Sequence, residues 1–207
     1  MVLSHDFAVS AHEVSVPQYL RFRPDAQFAY ATDLEEELAA NKVSLLDAIK
    51  YCRWLSEQEG VPEEQMCFPA IDQITEEDVF LDEEHRMRSG YRLLTEEEWE
   101  CVCRAGTTTP WFIGTESLHL NHFAWGFSNS NDRPHGVGRK MPNPWGFFDV
   151  VGNMTEWCAA MKNESFVHRG GDFNKSAANF RSASRTTQSK TGYSFNGFRV
   201  GCTITFE

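Results

Sequence analysis

The stretch Asn143-Pro-Trp-Gly-Phe-Phe-Asp-Val-Val-Gly-Asn-Met-Thr-Glu-Trp157 governs the reading of this chain. It mixes aromatics, turn residues and two carboxylates, a combination that no regular helix or strand favours. Gly146, Gly152 and Asn153 permit tight backbone geometry, including positive φ. Asp149 and Glu156 are hard oxygen ligands, and a looped backbone between them can add carbonyls, which is how calcium is held. The same residues also suit a buried aromatic turn whose carboxylates cap backbone amides. Spacing alone leaves both readings open.

Helical periodicity lies on the N-terminal side of this stretch. His5 to Val14 reads as a short strand, with Phe7 and Val9 alternating against polar neighbours. Val16 to Phe22 reads as a short helix with Pro17 in its first turn. Ser44 is an N-cap, and Leu45, Ile49, Cys52 and Leu55 recur at helical spacing until Gly60. Thr95 and Glu98 form a capping box for a third helix, whose inner stripe is Trp99, Val102 and Cys103 and whose stop is Gly106. Pro62 to Ser89 is polar and acidic and reads as an insertion loop with little core of its own. Beyond Gly106 the helical period disappears. Phe166 to Arg169 and Gly197 to Phe206 read as strands of a small antiparallel sheet within a loop-rich half. With no internal repeat or low-complexity linker, one domain over residues 1–207 is the simplest organisation.

Composition narrows the function. The chain has 207 residues and a net charge of -11, which argues against non-specific nucleic-acid binding. Acid concentrates at Asp33 to Glu37, Glu76 to Glu84 and Glu96 to Glu100. No apolar run reaches membrane-spanning length, and Met1 to Ser10 lacks the pattern of a signal peptide. The six cysteines form no Cys-x-x-Cys pair and read as reduced, mostly buried thiols of a cytoplasmic protein, with a Cys52 to Cys67 disulfide left open.

Five segments, in order, resemble the sulfatase-modifying-factor family, which includes the formylglycine-generating enzyme. They are HEVSVPQYLRF from His12, VSLLDAIKYCRWLSEQEG from Val43, GYRLLTEEEWECVCRAGTTTPWFIG from Gly90, NPWGFFDVVGNMTEWC from Asn143, and the closing HRGGDF, FRSASR and NGFRV from His168, Phe180 and Asn196. The resemblance implies an α+β fold, a loop-rich variant of the C-type-lectin fold with small antiparallel sheets and a few short helices. It also implies a structural calcium, with side-chain oxygens from Asp149 and Glu156 and carbonyls from Gly152 and Met154. A weaker second calcium site would map to Asn121, His122 and Asp132.

The departures bear on activity. The family oxidase binds copper(I) with two cysteines in the segment after Gly-Gly-Ser, and soft thiolates suit that ion. Here Gly170 to Arg181 contains no cysteine, so no copper is expected and formylglycine synthesis of the known kind is disfavoured. A related sulfoxide-forming branch holds iron on a separate helical domain, and the histidines here do not reproduce that cluster. Arg169, Arg181, Arg185 and Arg199 are expected to pair with carboxylates inside the fold. The favoured reading is a non-catalytic ligand- or protein-binding domain, with Trp125, Phe173, Asn174, Lys175, Ser176 and Arg181 on its binding surface and the loop from Thr186 to Tyr193 beside them. Its partner would be a protein or peptide, or another domain of the same polypeptide, with no nucleic acid or membrane. The alternative is an oxidoreductase of the same family with an altered site. The family's usual opening strand is not seen before His5, which would leave a sheet edge for a partner to cover.

Overall fold

The computed structural model describes residues 3–30, 37–75, 77–159, 166–187 and 195–204. Two small sheets and three main helices organise the chain. The first sheet has the order β1 (Phe7–Val9), β7 (Val200–Thr203), β2 (Arg92–Leu93), all antiparallel. The second has the order β5 (Thr186–Thr187), β4 (Val167–Arg169), β3 (Thr155–Trp157), β6 (Asn196–Gly197). Its β3–β6 pair is parallel, which departs from the purely antiparallel sheet expected. Parallel pairing needs a long crossover, and the chain from β3 to β6 supplies one that contains β4 and β5.

The helices form where capping and periodicity predict them. Helix α1 (Val16–Phe22) is followed by α2 (Leu45–Gln58), whose Ser44 side chain accepts from the Asp47 amide at 3.1 Å. Helix α4 (Glu96–Arg104) has the Thr95–Glu98 capping box and ends on Ala105 in the left-handed region, before Gly106 at φ 85°. A shorter helix, α3 (Glu83–Arg86), lies between α2 and α4.

The apolar faces make two main cores. One packs α1 and α2 with Trp157, Phe198 and Val200, and has Tyr19 stacked on Tyr51 at 5.5 Å. The other packs the Trp99, Val102 and Cys103 stripe of α4 against Trp111, Phe112, Val150, Val151 and Phe180. The segment from Pro62 to Ser89 corrects its sequence reading, because it buries Met66, Cys67, Phe68, Ile74, Val79 and Leu81. All but Met66 join the first core. These residues follow no period, so their apolar character was hidden among acidic neighbours.

Two tryptophans pin the loop-rich half by satisfying their indole N–H groups on distant chain. Trp157 Nε1 donates to the Val43 carbonyl at 2.8 Å, and Trp111 Nε1 to the Ala177 carbonyl at 3.0 Å. The turn before β3 needs glycine at position 152. Its φ is +77°, and a Cβ there would stand 2.2 Å from the Trp125 carbonyl oxygen.

Candidate functional site

The segment from Asn143 to Trp157 lies inside the molecule. Asp149 takes φ 54° and Asn153 φ 56°, so the turn is built from left-handed residues as well as glycines. Asn143 is buried, donating to the Val102 carbonyl at 2.7 Å and accepting from the Trp145 and Phe147 amides. Asn153 donates to Glu13 Oε2 at 2.9 Å and accepts from the His135 amide.

Glu156 is fully buried, and both its oxygens have partners. Arg199 Nη2 donates to Oε1 at 2.6 Å, Arg199 Nε to Oε2 at 2.7 Å, and Trp99 Nε1 to Oε2 at 2.8 Å. Asp149 Oδ2 accepts from the Gly138 amide at 2.6 Å, while its buried Oδ1 has no partner. Glu13 Oε1 is likewise buried and unpartnered. Three buried carboxylates thus share one buried guanidinium. Burial, then the charges of Asp149 and Glu156, raise Glu13 well above the usual carboxylate range. Burial also raises Asp149, against the pull of the Gly138 amide and Arg199.

The expected calcium donors are therefore partly committed. Glu156 Oε1 carries a single hydrogen bond and Asp149 Oδ1 none, so both retain acceptor capacity. The surplus of negative charge suits a cation. Among the described residues, no group of three or more His, Cys, Asp or Glu side chains is arranged to hold a metal, so any ion would depend on backbone carbonyls. The weaker second site is not brought together as a carboxylate cluster. The Asn121 carbonyl accepts from the Lys140 ammonium at 2.7 Å, His122 stacks beside His119, and Asp132 lies exposed at φ 57°.

A cleft of about 630 Å³ opens on the second sheet. Thr186, His168, Thr155 and Asn196 line it from four adjacent strands: Thr186 stands opposite His168 and Thr155 opposite Asn196, with Thr155 two residues along β3 from Trp157, the partner of His168. Asp172, Asn174, Lys175 and Asn179 add a wall from the segment after Gly171, and among the described residues Phe195 is the one aromatic in the lining besides the His168 ring. Of the residues expected on a binding surface, Asn174 and Lys175 line this cleft. Phe173 does not, because it is fully buried against Tyr30 and Phe195. Trp125 is stacked between His135 at 3.7 Å and the Lys140 ammonium at 3.8 Å, away from the lining. Ser176 and Arg181 are exposed outside it, with Arg181 over the Trp111 ring. Much of the loop from Thr186 to Tyr193 lies outside the described residues.

The cleft's charges are largely matched within the fold. Arg169 pairs with Glu96 and Glu100, and Arg185 with Glu96 at 2.8 Å. Glu96 and Glu100 come from α4, whose acidic run thereby supplies the counter-charges for these arginines. The sequence does not mark His168, since one histidine before Arg-Gly-Gly carries no spacing signal.

The thiols lie elsewhere. All six cysteines are free, including Cys52 and Cys67, and none lines the cleft. Burial pushes Cys67 up to about 11 and Cys103 up to about 12, and also raises Cys158 well above the ordinary thiol value, so these side chains are packed thiols. Among the described residues no helix is long and apolar enough to cross a membrane.

Known proteins share this architecture. The solved structure of Treponema denticola variable protein 1 superposes with a TM-score of 0.78 at 22% identity, covering 95% of this chain and 84% of that one. CarF gives 0.73 at 21% identity, covering 96% and 87%, and PvdO from Pseudomonas aeruginosa 0.69 at 21%, covering 96% and 80%. At such identities the likeness concerns the fold. The chaperone protein LppX of Paenibacillus barcinonensis is 25% identical over 179 residues, or 74% of this chain and 61% of its own length. The formylglycine-generating enzyme of Mycobacterium tuberculosis is 36% identical over 80 residues, or 33% of this chain and 27% of its length. The chain thus spans less than two thirds of either curated relative. The model of the sulfatase-modifying factor enzyme 1-like domain matches residues 1–204, and the chain belongs to that family.

Proposed function

We propose that this chain is a non-catalytic domain that binds a peptide or protein in the cleft over the second sheet. One observation carries the reading: the cleft of a family whose oxidase needs two thiolates is lined here by Asn, Asp, Thr, Lys and His side chains and by no cysteine. The thiol nearest in sequence, Cys158, is buried in the second core. The polar lining over a sheet floor suits recognition by hydrogen bonding. The relative named a chaperone, LppX, is compatible with a protein-binding role, and the shared family supports the scaffold.

The test is copper(I) titration combined with oxygen uptake on a cysteine-containing peptide. The expected result is no tight copper site and no turnover. Tight binding with oxygen consumption would replace this reading with that of an altered oxidoreductase.

A calcium ion beside Asp149 is a separate proposal. The unpartnered Asp149 oxygen and the excess of buried carboxylate support it. Asp149 and Glu156 would supply side-chain oxygens, and Gly152 and Met154 carbonyls. The ion would supply structural charge compensation only.

A further inference from the structure

His168 is the buried group on the cleft floor whose chemistry the fold leaves incomplete. It is 1% exposed, and its ring meets Trp157 edge-on at 3.8 Å between centroids. Asn196 Nδ2 lies 3.4 Å from His168 Nε2, and Asn196 Oδ1 lies 2.9 Å from Thr155 Oγ1. With the amide oriented so that the threonine hydroxyl faces oxygen, Asn196 donates to Nε2. The proton of the neutral ring then sits on Nδ1. That Nδ1 is buried and has no partner. Burial lowers the imidazole to about 4, which keeps the ring uncharged at neutral pH. An unsatisfied buried donor carries a desolvation cost that a bound acceptor would remove.

The rest of the cleft narrows the acceptor. Arg169 Nε also lacks a partner, but neighbouring residues of a strand point to opposite faces. The Arg169 side chain accordingly runs to Glu96, Glu100 and the Trp99 ring. Arg185 is matched by Glu96, and the Lys175 charge acts on Asp172. The arginines at the cleft are thus largely engaged by neighbouring carboxylates, which favours an uncharged ligand over an ionic one.

We infer that His168 anchors the bound peptide, its Nδ1–H donating to an uncharged carbonyl oxygen of a main-chain amide or an Asn or Gln side chain. This rests on the binding reading above and names the chemical class that the site takes.

The experiment is selection of random dodecapeptides, displayed on phage, against the full chain, followed by affinity measurement on an enriched peptide. Enrichment of uncharged polar sequences is expected, with affinity that hardly changes between low and high salt. His168→Phe keeps a ring against Trp157 and removes the donor, so affinity should fall roughly tenfold. His168→Gln returns an N–H donor and should recover part of the loss. If the Phe variant does not fold, the imidazole ¹⁵N spectrum of the unaltered protein decides, since the Nδ1–H resonance must move on peptide addition. Enrichment of charged peptides with steep salt dependence overturns the inference, as does an unmoved Nδ1–H. Cleft-binding peptides indifferent to His168→Phe sink this inference while leaving the binding function standing. Failure to enrich any peptide sinks both.

Discussion

Two buried ion pairs hold this fold, and they differ in what surrounds them. Arg92 and Glu98 lie at 0% exposure and meet through two hydrogen bonds of 2.7 and 2.8 Å. Every oxygen of Glu98 is occupied, with the Thr95 amide and His5 Nε2 completing the set. Burial would raise the Glu98 carboxyl, but the hydrogen bonds and charge of Arg92 outweigh it and hold it below the usual value. Arg199 and Glu156 are as close, yet Glu13 and Asp149 stand in the same field with unpartnered oxygens. The first pair is closed and its role is structural. The second is over-supplied with acid, so its state depends on protons or on a cation.

Removing each arginine separates the two most strongly. Arg92→Met leaves Glu98 with His5 at 2.6 Å as a residual partner, and urea unfolding should show a loss of about 3 kcal/mol. Arg199→Met leaves three buried carboxylates without their cation and should cost about 5 kcal/mol, near the limit that the fold tolerates. An Arg92 variant as damaging as the Arg199 variant would mean that the surrounding acid carries no consequence.

The pairs also differ in how far the sequence discloses them. Glu98 sits three residues after Thr95, and the capping box is a local pattern read from spacing alone. Helices α1, α2 and α4 were legible for the same reason, since each is set by contacts within a few residues. Glu13 reaches Asn153 across 140 positions, and Arg199 reaches Glu156 across 43. Such contacts leave no period. The sequence marks Asp149 and Glu156 as oxygen donors, but it marks Arg199 only as an arginine that finds some carboxylate, not as the partner of Glu156. Loop residues such as Phe173 and Trp125 lack a stripe to show which way they face, and the structure packs both where the sequence suggests surface. The cleft itself appears only when β5, β4, β3 and β6 are brought side by side.

Calcium tests the open pair directly. If an ion sits beside Asp149, chelation should lower stability by about 1–4 kcal/mol through mass action, or several degrees in melting temperature. Asp149→Asn should abolish sensitivity to chelator even where it alters the melting temperature itself. Equal melting curves for the unaltered protein with calcium and with chelator would reject the ion. The Arg92–Glu98 region, with its oxygens filled, should respond to neither treatment.

The smallest effect is the most specific. Glu13→Gln keeps the oxygen that accepts from Asn153 and removes the acid that the folded core must either bury as a charge or keep protonated. In chelator, at neutral pH, the variant should be more stable than the unaltered chain by about 1 kcal/mol, an uncommon sign for a core substitution. The pH dependence follows from the raised carboxyl. Below about 4.5, the ordinary value for Glu, the side chain is protonated in both folded and unfolded states, and the two proteins should melt alike. As pH rises, the unfolded chain releases its proton first while the folded chain retains it. The unaltered protein therefore loses stability until pH passes the folded value, and the advantage of the Glu13→Gln variant grows over that window. Glu98→Gln must behave oppositely, because its folded carboxyl is depressed and the charge it removes is matched by Arg92. A Glu13→Gln advantage that stays constant with pH would place the effect in packing, and the two buried pairs would then be electrostatically equivalent.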